Sequence, residues 1–117
     1  MPSTGELQAF KAEFFKALAH PLRVRILEVL RGGERTVQEL QASLGVDQAT
    51  ASQQLAVLRG RNVVVARKEG TSVRYTVRDP LVGDLLDVAR RLFNKQLTGT
   101  QTMLRELRRE ARRPRSR

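Results

Sequence analysis

A chain of 117 residues that is 40% hydrophobic suits one compact domain and is too short for two ordinary ones. Its 22 Lys and Arg against 12 Asp and Glu leave a formal net charge of +10, which points to an anionic partner, either nucleic acid or an acidic membrane surface. With no cysteine and a single histidine, His20, disulfides, thiolate sites and a multi-histidine metal site within one protomer are excluded.

Residues 1–5 read as a loose end, followed by a helix from about Glu6 to Ala19 with Leu7, Phe10, Phe14 and Leu18 along one side. His20-Pro21 interrupts it, because the residue before a proline is pushed out of helical geometry. Pro21 opens a second helix that Gly32-Gly33 ends, with Val24, Ile26, Leu27 and Leu30 inward. His20 is expected to bond local backbone at that helix end. Thr36 and Glu39 have the spacing of a capping box, so a short third helix begins there and turns at Gly45. Asp47 can cap a fourth helix from Gln48 to about Arg61, with Ala51, Leu55 and Leu58 on its inner face and Asn62 as a left-handed terminator.

Strand patterning follows. Residues 63–67 and 72–77 flank Lys68-Glu69-Gly70-Thr71 and read as a hairpin. Asp79-Pro80 opens a long last helix whose stripe Leu81, Leu85, Val88/Ala89 and Leu92 is joined by Val82, Leu86, Phe93 and Leu97. That is a wider apolar arc than a small monomer can cover, and the phenylalanines of the first helix pose the same difficulty. A two-fold dimer joined through the first and last helices resolves both, with Leu7, Phe10, Phe14, Leu85 and Leu92 in the interface. Residues 1–98 are thus expected to form one folded, dimerising domain. Residues 99–117 form an Arg-rich extension, partly helical, with 112–117 disordered.

The chemistry is that of a reading surface. Ala49, Gln53 and Ala56 lie opposite the inner stripe of the fourth helix, with Ser52 beside them and Gln48 and Thr50 in its exposed first turn. Glutamine can bond adenine bidentately, hydroxyls serve base or phosphate, and an alanine methyl can touch thymine. An ordinary solvated face would carry lysines and acids, yet no charged residue stands between Gln48 and Leu58. Charge lies elsewhere: residues 36–62 hold two basic and two acidic groups, 63–78 four basic and one acidic, and 99–117 seven basic and two acidic. This division suits base contacts that specify and phosphate contacts that position, the latter from Arg67, Lys68, Arg74 and Arg78 of the hairpin, against the backbone or in the minor groove. No nucleophile-base set and no phosphate-cradling loop appears, so an enzyme is not expected, and no cofactor or metal site is assigned.

Phe15-Lys16-Ala17-Leu18-Ala19-His20-Pro21-Leu22-Arg23-Val24-Arg25-Ile26-Leu27, Thr36-Val37-Gln38-Glu39-Leu40 and Ala51-Ser52-Gln53-Gln54-Leu55-Ala56-Val57-Leu58-Arg59 resemble the ArsR/SmtB family of bacterial winged-helix repressors. The resemblance spans roughly Leu7 to Leu97. It implies a mainly α winged helix-turn-helix with a small antiparallel β-hairpin, dimerised through its first and last helices. It also implies a homodimer that represses transcription from double-stranded operator DNA until an inducer releases it. Gln54 stands where a histidine is common, and Asp47 where a serine often caps. The family's third-helix cysteine pair is replaced by Val37-Gln38-Glu39-Leu40-Gln41, and its last-helix Asp/His set by Asp84-Leu85-Leu86-Asp87. The expectation is a cytoplasmic regulator without those metal sites, with room for a small-molecule effector of unidentified chemistry. Two alternatives stay open: a non-specific architectural DNA-binding protein, and a protein- or membrane-surface module built on the terminal helices and arginine tail.

Overall fold

The computed structural model describes residues 4–112. Its elements in chain order are α1 (Thr4–Leu18), α2 (Pro21–Leu30), β1 (Arg35–Thr36), α3 (Val37–Leu44), α4 (Gln48–Gly60), β2 (Val64–Glu69), β3 (Ser72–Val77) and α5 (Leu81–Arg112). The chain divides after Gly83 into two units. The first contains all elements through β3 and the opening residues of α5, and the second is the remainder of that helix.

Most boundaries follow from local capping chemistry. The His20 ring accepts a hydrogen bond from the Leu22 amide at 3.1 Å, with Pro21 in the first turn of α2. The Thr36 hydroxyl accepts from the Glu39 amide while the Glu39 carboxylate accepts from the Thr36 amide, each at 3.2 Å, which completes the capping box of α3. Gly45 ends that helix at φ 68°, a left-handed conformation in which a side chain is strained. Asn62 takes φ 60° just beyond α4, as its residue type allows. At the start of α5 the Asp79 carboxylate accepts from the Leu81 amide at 2.9 Å.

The inner stripes meet in one aliphatic core. Leu22, Ile26, Leu27 and Leu30 of α2 pack with Leu40 and Leu44 of α3 and with Ala51, Leu55 and Leu58 of α4, all buried. Val63, Val64 and Val82 complete it. Burial of a leucine or isoleucine side chain contributes roughly 1.5–3 kcal/mol, so this cluster dominates the stability of the unit. Arg23 of α2 adds polar cross-links: it donates to the Ala17 and Lys16 carbonyls at 2.7 and 3.2 Å and to the Gln54 amide oxygen at 3.0 Å. Those bonds fix the end of α1 and the body of α4 to α2. Arg61, beyond α4, pairs with Glu13 of α1 at 2.8 Å.

Four details depart from what the sequence suggests. The sheet has three antiparallel strands in the order β1-β3-β2, because Arg35 and Thr36 pair with Tyr75 and Arg74. The hairpin arms run to Glu69 and Ser72, leaving a tight turn at Gly70 (φ 61°) and Thr71. The first helix starts at Thr4, so Thr4 and Gly5 are helical rather than loose. The last helix continues unbroken to Arg112. The loose start at residues 1–3 and the disorder expected of 113–117 lie outside the described residues.

Candidate nucleic-acid interface

Helix α4 is anchored from within and bare on the outside. Its start is set by Asp47, whose carboxylate accepts from the Thr50 amide at 2.7 Å. Hydrogen bonds from Thr50 hold that carboxyl below its ordinary range. Ala51, Leu55 and Leu58 are at most 1% exposed and seat the helix on α2 and α3. The opposite side carries Ala49, Gln53 and Ala56 with Ser52 beside them, all exposed, as is Gln48 in the first turn, while Thr50 is half-buried beside its cap. The α3–turn–α4 pair therefore offers one small-residue, uncharged helix surface.

The hairpin treats its cations unequally. In register, Arg67 faces Arg74 across the two strands, so both lie on one face of the sheet. There the Arg67 guanidinium bonds the Glu34 carboxylate at 2.9–3.3 Å through three contacts and Glu69 at 3.2 Å. Glu34 is the main cause of the raised Arg67 pKa. Arg74 pairs with Glu69 at 3.0 Å and, more loosely, with the capping-box residue Glu39 at 3.7 Å. The Glu39 carboxyl is held below its usual range, chiefly by the Thr36 backbone amide.

Lys68 lies on the other face, paired with Val73 and two residues from the Ala66–Tyr75 pair. Among the described residues Lys68 has no carboxylate partner. Tyr75 on that face lines a crevice of about 380 Å³ with Ser52, Leu55, Ala56, Arg59 and Gly60 of α4. Neither Arg59 nor Tyr75 is among the residues that the sequence alone suggests for the interface. Arg59 follows the neutral run directly, and Tyr75 is the chain's one tyrosine on the packed side of a strand, so both signals were present but weak.

The residues expected in a dimer interface are distributed over two helices. On α1, Phe10 is 76% and Leu7 45% exposed, and Phe14 is half-buried with its ring edge-on to Phe15 at 5.7 Å. On α5, Leu92 is 57% exposed and Leu85 half-buried. Phe15, Val88, Phe93 and Leu97 are also exposed.

A helix-turn-helix whose second helix presents a free outer face, followed by a β-hairpin, defines a winged helix-turn-helix, the fold of a DNA-binding regulator. The family model for bacterial regulatory proteins of the arsR family matches residues 20–65. The HTH-type transcriptional regulator Rv0081 of Mycobacterium tuberculosis is 45% identical over 103 residues, which cover 87% of this chain and 90% of that one. Its crystal structure superposes with a TM-score of 0.75 at 44% identity, covering 80% of this chain and 95% of that one. The chain belongs to the arsR family and is a DNA-binding transcriptional regulator. A solution structure of the homodimeric winged helix-turn-helix domain Mb0332 of Mycobacterium bovis matches with a TM-score of 0.74 at 31% identity, over 83% of this chain and 92% of that one. A probable mercury resistance operon repressor of Streptomyces lividans is 42% identical over 79 residues, or 68% of this chain and 63% of that one.

Proposed function

We propose that the protein is a homodimeric repressor that reads an imperfect palindrome in double-stranded DNA with α4 and acts by binding, without catalysis. The observation that carries this reading is the outer face of α4: small, uncharged and exposed from Gln48 to Ala56, on a helix whose inner face is fully seated. Gln48, Ala49, Thr50, Ser52 and Gln53 supply base contacts. Lys68 supplies the wing's phosphate contact, and Arg67 and Arg74, on the opposite sheet face, contribute only by exchanging Glu34, Glu39 and Glu69 for phosphate. Leu7, Phe10, Phe14, Leu85 and Leu92 join the protomers, and half-site centres lie about 34 Å apart, one helical turn. Residues 1–98 carry these functions, and residues 99–117 are a basic extension. The homodimeric and repressor descriptions of the two relatives above support the assembly and the direction of control. No helix among the described residues is long and apolar enough to cross a membrane, and the proposed setting is the cytoplasm. Release comes from a signal other than a cysteine-ligated metal, since the chain has no cysteine; a small-molecule effector fits that requirement.

Selection of binding sites from random duplexes tests the reading. The wild-type chain should enrich a two-fold related sequence, and Gln53→Ala should lose discrimination at one position per half-site by about 1–3 kcal/mol, or about 5- to 150-fold. Enrichment of no sequence over scrambled DNA would instead indicate a non-specific DNA coater.

A further inference from the structure

The arginines of the winged unit are largely spoken for. Arg67 and Arg74 are held by Glu34, Glu39 and Glu69, Arg61 by Glu13, and Arg23 by carbonyls and Gln54. The reading helix is uncharged from Gln48 to Leu58. Arg59, Lys68 and Arg78 of that unit have no ion pair among the described residues, but they are scattered, and the densest run of unpaired cations lies elsewhere. On the C-terminal part of α5, Arg105, Arg108, Arg109 and Arg112 follow the i, i+3, i+4, i+7 spacing that stacks side chains on one face of a helix. All four are exposed and stand side by side around one stretch of open solvent. Among the described residues none of them has a carboxylate partner. Glu110 sits roughly a quarter of a turn or more from each of them, and Glu106, three residues before Arg109, forms no ion pair with it. Four like charges on about 10 Å of helix repel one another, so the arrangement favours a polyanion that neutralises them at once.

We propose that Arg105, Arg108, Arg109 and Arg112 form a second phosphate-gripping face that holds the DNA backbone independently of sequence. The occupant is DNA because it brings closely spaced phosphates to a protein that already binds it. Arginine's planar fork matches a phosphate bidentately, and successive phosphates along a strand can be shared among neighbouring guanidiniums. This face rests on the DNA-binding reading of α4 but is separable from it: α4 selects the site, and the arginine stripe sets how tightly any duplex is held.

The test compares the full chain with Arg105→Gln/Arg108→Gln/Arg109→Gln/Arg112→Gln and with the matching four-lysine variant. Affinity for the selected operator and for a scrambled duplex is measured from low to moderate salt. Each lost phosphate contact lowers the slope of log K against log salt by about 0.9, so the glutamine variant should lose about three to four per protomer. Its preference for operator over scrambled DNA should stay within about twofold of wild type. The lysine variant should keep most of the slope, because it keeps the charge. An unchanged slope in the glutamine variant overturns the proposal, as does a lysine variant as impaired as the glutamine one. Loss of binding to anionic vesicles or to an acidic protein, with DNA binding intact, overturns it as well and assigns the stripe to that partner. Gln53→Ala separates the two readings: lost slope with unaffected discrimination in Gln53→Ala defeats only the assignment of α4.

Discussion

Leu92→Ala measures whether the exposed apolar surface of α5 joins two copies. Leu92 is 57% exposed, which leaves about 100 Å² of a leucine's surface in water and corresponds to about 2.5 kcal/mol on complete burial at ~25 cal/mol/Å². Truncation to alanine removes roughly 1.5 kcal/mol of that, and a two-fold interface loses it twice, so the dimer should weaken by about 3 kcal/mol, or about 150-fold. Sedimentation equilibrium over a range of concentrations reads the change directly. The isolated protomer should keep its circular dichroism spectrum, since the side chain is exposed there. An unchanged dimer constant together with a lowered urea midpoint would refute the reasoning and place Leu92 in a core instead.

Two further outcomes follow from the anchoring of α4. Leu55→Ala, at a site 1% exposed, should destabilise the fold by about 2–5 kcal/mol in urea titration; a loss under about 1 kcal/mol would mean that α4 is not seated as described. Asp47 and Glu39 both have lowered carboxyl pKa values, so their contribution is full above the unfolded carboxylate range, about pH 4, and is lost as pH falls through the lower folded values. Asp47→Asn keeps the cap but does not titrate, so its urea midpoint should decline less steeply between neutral and acid pH than that of the wild-type chain. Parallel curves would remove Asp47 as a source of acid sensitivity.

Capping was legible in the sequence because it is local chemistry. Thr36 and Glu39, Asp47, Gly45 and Asn62 each act within a few residues, and all hold the roles their types suggested. The buried stripes of α3 and α4 and most of that of α2 were legible for a related reason, since each repeats at the helical period, though Leu22 is buried and Val24 only half-buried. What escaped was long-range. Strand β1 is two residues with no alternation to detect, and it exists only because β3 offers it a partner. The pairing of Arg67 with Glu34 spans 33 positions, so the sequence showed four wing cations where the fold leaves Arg67 and Arg74 tied to carboxylates. The same blindness hid the crevice between Tyr75 and α4, which the pleat of β3 brings into being.

The strand order β1-β3-β2 leaves β2 with one side unpaired. A bare strand edge invites another chain to add to it, and native sheets discourage this with charge. Here the outer half of β2 reads Arg67-Lys68-Glu69, so these residues guard the sheet against aggregation whatever they contribute to binding. A wing re-engineered with β-formers such as valine at Arg67 and Lys68 should therefore fail first in solubility, before its affinity for any duplex can be compared.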